Sequence, residues 1–122
     1  MRAEAIDPED TEAKLSLARI AIRMRDFASA EQKLNHILAT QPTHPFALAS
    51  LGVVYDLTNR PSLAQDTYRK GLQANPGNSA LRSNLGLSLA LNGQPREAVN
   101  VLLGHTGVSK DLPQARENLA LA

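Results

Sequence analysis

Apolar and small side chains return along this chain at a period far longer than a helical turn. A leucine followed by a small residue recurs every 34 residues, as Leu17-Ala18, Leu51-Gly52, Leu85-Gly86 and Leu119-Ala120. Other columns keep the same register: Ala30, Ala64 and Ala98; Leu34, Tyr68 and Leu102; Pro8, Pro42 and Pro76. A fixed period of this length marks a repeat architecture, in which each unit is one hairpin that buries its apolar face only against its neighbours. The small members at Gly52, Gly86, Ala30, Ala64 and Ala98 let two helices approach. The larger ones at Tyr55, Tyr68, Leu34, Leu89 and Leu102 fill the space on either side.

Breaks between the apolar stretches fix the elements. Asn59-Arg60-Pro61 and Asn92-Gly93-Gln94-Pro95 end one helix and open the next with Pro in its first turn, where the missing N–H costs nothing. Gln41-Pro42-Thr43-His44-Pro45 and Asn75-Pro76-Gly77-Asn78 interrupt the chain between hairpins. The pattern therefore predicts helices over 11–24, 28–41, 45–58, 62–75, 79–92 and 95–104, with 113–122 opening a further hairpin. The corresponding division is 1–10 as the tail of a preceding repeat, then repeats 11–44, 45–78 and 79–112, and 113–122 as the first helix of a truncated one. Ala3 falls in register with Ile37 and Gly71, so the chain reads as a fragment cut through repeats at both ends. Leu119 and Leu121 are then expected to be partly exposed or covered by a neighbour.

These columns resemble the tetratricopeptide repeat. Residues 45–78 resemble its consensus best, with Leu48, Leu51-Gly52, Tyr55, Ala64, Tyr68, Gly71 and Pro76 at the family's spacings. The first consensus position, commonly Trp, departs from it and reads Lys14, Leu48 and Arg82. The resemblance implies an all-α superhelical solenoid of antiparallel helix hairpins that holds another protein.

Composition narrows the function. Few aromatic residues and abundant Ala and Leu suit a helical stack in one domain rather than a sheet. A formal charge of +1 with interspersed charges gives no electrostatic case for nucleic acid, whose binding rests on clustered Lys and Arg. No apolar run approaches the ~20 residues that span a bilayer, and Met1-Arg2-Ala3-Glu4 is no signal peptide. The sequence has no Cys, which excludes disulfides and thiolate sites.

Catalytic, metal and cofactor chemistry find no constellation. His36, His44 and His105 stand far apart, without a second ligand at metal-binding spacing. His44, before Pro45, reads as a turn or cap residue, and His36 as solvated. The Gly104-His105-Thr106-Gly107 run lacks the strand, helix and Lys of a phosphate loop. It predicts instead an early end to the preceding helix and an irregular loop over 104–112, where His105 marks either a looser repeat or a partner contact. No His stands ready to activate a Ser.

The first helix of each hairpin lines the concave face in such a solenoid, and helical spacing names its side chains. The first hairpin offers Glu12, Leu15, Ser16, Arg19, Ile22 and Arg23; the second Phe46, Ala49, Ser50, Val53, Asp56 and Leu57; the third Ala80, Ser83, Asn84, Leu87, Ala90 and Leu91. Gln114, Glu117, Asn118 and Leu121 follow. The predicted binding groove has an apolar floor at Phe46, Val53, Leu57, Leu87 and Leu91 and a basic edge at Arg19 and Arg23. That suits a protein partner inserting an amphipathic helix or apolar strand. Arg19 and Arg23, one turn apart, are either a solvated basic face or a seat for acidic groups. Asn84 and Asn118, in one column, either hold a ligand backbone or bond the neighbouring helix. The clamp by which tetratricopeptide co-chaperones grip a C-terminal carboxylate is largely absent, since its positions hold Leu15, Arg19, Ala80 and Asn84.

A narrower resemblance covers about the last 40 residues. Asn84-Leu85-Gly86-Leu87-Ser88-Leu89-Ala90-Leu91-Asn92-Gly93, followed by Arg116-Glu117-Asn118-Leu119-Ala120-Leu121-Ala122, looks like the paired motif of the TadD family, the tetratricopeptide lipoproteins of bacterial tight-adherence (Flp) pilus machinery. It implies a periplasmic, outer-membrane-associated pilotin or assembly factor whose partner is the pilus secretin, through a C-terminal peptide. The lipid anchor of such a protein needs an N-terminal Cys outside this chain. The alternatives are a cytoplasmic adaptor or co-chaperone module and the regulatory repeats of a larger enzyme.

Overall fold

Each helix begins where a local signal starts it. The computed structural model describes residues 10–104. Over that span the chain forms α1 Thr11–Arg23, α2 Phe27–Thr40, α3 Pro45–Leu57, α4 Pro61–Ala74, α5 Ser79–Leu91 and α6 Pro95–Leu102. All starts fall within one residue of those expected from the sequence, and ends within two. The tail at the N-terminus, the loop over 105–112, the helix expected over 113–122 and Asn118 lie outside the described residues.

The caps repeat with the sequence period. Asp10, His44 and Asn78 are the N-caps of α1, α3 and α5, and each side chain accepts a backbone N–H of the first turn, His44 through Nδ1 from Ala47 at 3.3 Å. These acceptors satisfy donors that the helix itself leaves open. Helices α4 and α6 have no side-chain cap and begin instead on Pro61 and Pro95, whose rings are already set for the first turn. The turn within each hairpin holds one residue in the left-handed region, again at the same register: Arg25 (φ 61°), Asn59 (φ 62°) and Gly93 (φ 81°). Gly104, at φ 91°, follows α6, which is only 8 residues long. The early stop expected there is present.

Successive helices pack as antiparallel neighbours, each against its predecessor and successor, and α3 also adjoins α1 and α5. Two apolar clusters run through the stack. One joins Leu15, Leu34, Ile37, Leu51 and Val54 of α1 to α3; the other joins Leu48, Tyr68, Leu81, Leu85, Leu89 and Val101 of α3 to α6. The small columns do what close packing requires. Ala30, Ala64 and Ala98 are buried, and a Cβ at Gly52 would stand 2.1 Å from the Tyr68 ring. Position in the stack decides burial within a column: Leu51 is 4% exposed and Leu85 1%, because a hairpin precedes each, whereas Leu17 is 50% exposed. Leu102, expected to fill space like Leu34 and Tyr68, is half exposed instead, since it lies on the last described helix.

Candidate functional site

The layer of first helices is the inner one. Helix α3 adjoins both α1 and α5, whereas α2, α4 and α6 do not approach one another closely and are bridged by long side chains. Those bridges are Arg60 to Glu31 at 2.8 Å and Arg69 to Glu97 at 2.7 Å. Elements that adjoin on one side and splay on the other curve toward the adjoining side, so α1, α3 and α5 line the concave face.

On that face one stripe per helix points outward, at steps of four, three and four residues: Glu12, Ser16, Arg19 and Arg23 on α1; Phe46, Ser50, Val53 and Leu57 on α3; Ala80, Asn84, Leu87 and Leu91 on α5. The spacing keeps each set on one side of its helix. Phe46, Leu57, Leu87 and Leu91 are about half exposed or more, and Val53 is half-buried between them. Arg19 lies across the edge of this apolar strip, with its guanidinium carbon 5.9 Å from the centre of the Phe46 ring. The basic edge and the apolar floor are therefore one continuous surface. Arg23 is exposed beside them. Asn84 is half-buried and has no hydrogen bond to a described residue, so it does not tie α5 to another described helix.

Four side chains expected in the groove lie elsewhere. Leu15 and Ala49 belong to the core clusters, and Ile22 packs against the first of them. Each sits one position away from the outward stripe, and a turn of about 100° per residue carries it into the junction with the adjoining helix. Asp56 is half-buried and engaged. Its Oδ2 accepts the Tyr68 hydroxyl at 3.0 Å, and its Oδ1 accepts the Ser88 hydroxyl at 2.8 Å. Gln65 Nε2 in turn donates to Ser88 Oγ at 3.3 Å. This network pins α3, α4 and α5 together. Burial, and after it the Asp56 carboxylate, raise the Tyr68 phenol well above its ordinary value, because ionisation would put a second negative charge in a poorly solvated place. Sequence reasoning passed over the network, although two columns turn polar together there. Ser88 stands where Ile20 and Val54 stand, and Asp56 where Ile22 stands, while Gln65 follows the polar Glu31 of its own column.

Two carboxamides close the open ends of their hairpins. Gln41 Nε2 donates to Thr11 Oγ1 at 2.6 Å, and Asn75 Nδ2, in the same column, donates to the Thr43 carbonyl at 3.1 Å. Among the described residues no three His, Asp or Glu side chains converge as a metal site would need. No described helix is long and apolar enough to cross a membrane.

Paired helices at a constant repeat, joined by one turn geometry and curved around an exposed strip, define a helical-repeat scaffold. The tetratricopeptide repeat model matches residues 15–79, more than half of the chain, and the chain belongs to that family. It is 32% identical over 90 residues to the uncharacterized protein y4yS of Sinorhizobium fredii (strain NBRC 101917 / NGR234), covering 74% of this chain and 50% of that protein. The crystal structure of MamA has the same fold, with a TM-score of 0.72 and 23% identity over 92% of this chain and 64% of MamA. The chain thus spans about half the length of y4yS and under two thirds of MamA. Tetratricopeptide domains bind protein partners, and the chain shares their fold.

Proposed function

We propose that the chain is a non-catalytic scaffold that binds an apolar or amphipathic segment of a partner protein along α1, α3 and α5. One observation carries this reading: Phe46, Val53, Leu57, Leu87 and Leu91 form a strip open to solvent on α3 and α5, whose other leucines are buried in the core. The half-buried Asn84, without a hydrogen bond to a described residue, supplies a donor and an acceptor to a ligand backbone. Arg19, held over Phe46, and Arg23 border the floor. Burying one large apolar side chain is worth roughly 1.5–3 kcal/mol, and association and ordering cancel much of the sum, so a micromolar to nanomolar complex is expected.

Within this reading we assign the partner as the secretin of a Tad/Flp pilus and the location as the periplasmic side of the outer membrane. The support is the resemblance of residues 84–93 and 116–122 to the TadD motif. Titration calorimetry with a peptide from the secretin's C-terminal region tests both levels. Leu57→Asp and Asn84→Ala should weaken binding at least about tenfold, and added salt should weaken it little, because screening over ~10 Å acts on exposed charge and not on apolar contact. Unchanged binding by both variants moves the interface off the concave face. A steep loss with salt that Arg19→Glu reproduces would make the basic edge the dominant contact. Failure of the peptide to bind the intact chain removes the secretin and leaves the scaffold reading to other partners.

A further inference from the structure

The outward stripe is open by its register and not by its place in the stack. Helix α3 has α1 on one side and α5 on the other, and its Phe46 and Leu57 are still 51% and 48% exposed. Because the sequence period is constant, the stripe also forms rows that cross the helices. Two neighbouring rows change in the same order: Arg19, Val53 and Leu87 in one, Arg23, Leu57 and Leu91 in the next. Both run from charge on α1 to aliphatic surface on α3 and α5.

The described residues do not neutralise that charge. Arg60 and Arg69, which bridge the second helices, meet Glu31 and Glu97 at 2.8 and 2.7 Å. Among the described residues Arg19 and Arg23 have no ion pair. Glu12, in their own stripe, stands two turns from Arg19, about 10 Å along the axis. The Asp56 carboxylate, next to Leu57, is taken up by the Tyr68 and Ser88 hydroxyls. Arg19 lies toward Phe46 instead, 5.9 Å from the ring centre, and a guanidinium so placed keeps N–H donors for an acceptor from outside.

We infer, resting on the groove reading above, that the partner segment is itself polarised. It crosses the helices with acidic side chains over Arg19 and Arg23 and apolar side chains over α3 and α5. Two arginines one turn apart repel each other, and carboxylates between them turn that repulsion into attraction. Side-chain carboxylates fit better than a chain terminus, since the two guanidiniums stand in separate rows and one terminus fills one seat. Crossing from α1 to α5 takes two interaxial steps of about 8–10 Å, which five or six extended residues cover at about 3.3 Å each. The acidic and apolar ends therefore belong to one short linear segment.

Fluorescence anisotropy on the intact chain tests this with acetylated, amidated peptides of one composition, alternating leucine and serine with two glutamates. The glutamates stand at the N-terminal end, at the C-terminal end or in the middle, and lysines replace them in a second set. One of the two end-charged acidic peptides should bind about fivefold more tightly than both the central-charge peptide and its own lysine version, the yield of two exposed ion pairs. That preference should shrink as salt rises, while the apolar part of the affinity stays. Arg19→Glu combined with Arg23→Glu should invert it in favour of the lysine-ended peptide, a result that misfolding cannot produce. Equal binding of all peptides by a wild type that Leu57→Asp still weakens overturns the polarity and leaves the apolar groove standing. So does a preference that survives the double reversal. An equal gain from a free C-terminal carboxylate on a peptide without glutamate puts a chain terminus at the arginines and overturns it too. No binding, or binding that Leu57→Asp leaves unchanged, removes the groove reading and this inference with it.

Discussion

Replacing Gly52 by Ala should destabilise the protein by about 3 kcal/mol, although Ala is the better helix former by about 1 kcal/mol. The new Cβ would lie 2.1, 2.5 and 2.6 Å from three atoms of the Tyr68 ring, where carbon atoms rest at about 3.5–4.0 Å, so the ring must retreat by roughly 1.5 Å. It has no room to do so. Tyr68 is 1% exposed, and its hydroxyl is held by Asp56 at 3.0 Å. Overpacking costs about 1–3 kcal/mol, and losing a hydrogen bond to a charged group about 1.5–3, against the helix gain of about 1. Gly86 gives the contrast within the same molecule. Its Cβ would meet Leu102 at 2.6 Å, but Leu102 is half exposed and swings aside, so Gly86→Ala should change stability by less than about 1 kcal/mol. The first hairpin shows which pairing tolerates Ala, because it places Ala18 where Gly52 stands and Leu34 where Tyr68 stands. Gly52→Ala with Tyr68→Leu should therefore recover at least about 1 kcal/mol relative to the sum of the single changes. Urea titrations followed by circular dichroism measure the wild type, the two glycine variants, Tyr68→Leu and the double variant. If Gly52→Ala costs no more than Gly86→Ala, or the double variant is simply additive, the ring does not hold that position and the close approach of α3 to α4 is not what the glycine provides.

Arg25 occupies the left-handed turn position that Asn59 and Gly93 fill elsewhere, at a backbone cost of about 1–2 kcal/mol for an ordinary residue, partly offset by stacking of its guanidinium 5.1 Å from the Phe27 ring. Arg25→Gly should stabilise by up to about 1 kcal/mol, and Arg25→Ala, which keeps the strain and loses the stacking, should destabilise; thermal melts separate them. The raised Tyr68 phenol predicts alkaline sensitivity. Below its ordinary value of 10.0 the phenol is protonated folded or unfolded and its contribution is complete; above that the unfolded chain loses the proton first, and stability falls by up to about 1.4 kcal/mol per pH unit. Tyr68→Phe should flatten part of that fall in urea midpoints taken across the transition, with Tyr55, also raised by burial, supplying a remainder. Asp56→Ala should cost about 2–4 kcal/mol in the same urea assay, since it strips the acceptor from both the Tyr68 and the Ser88 hydroxyls, and buried donors left unpaired carry their full desolvation penalty.

Local chemistry let the sequence determine the helices, their order and the period on which they stack. Pro61 and Pro95 start helices wherever they occur, and Asp10, His44 and Asn78 cap them at equal spacing; none of this depends on a distant partner. The outward stripe was legible for the same reason, because Phe46, Val53, Leu57, Asn84, Leu87 and Leu91 follow from helical geometry alone once the first helices are known to face inward. Tertiary structure decided the neighbours of that stripe. Whether Leu15 and Ala49 line a groove or a core depends on how far each helix is rotated against the next, and a register one residue away reads equally apolar in sequence. It also decided that Asp56 ties three helices together, since a carboxylate on a predicted groove face reads as solvated until Tyr68 of its own hairpin and Ser88 of the next are brought to it. The same leucine column is core at Leu51 and Leu85 and surface at Leu17, because burial in a stack belongs to the pair of hairpins that meet and not to the residue.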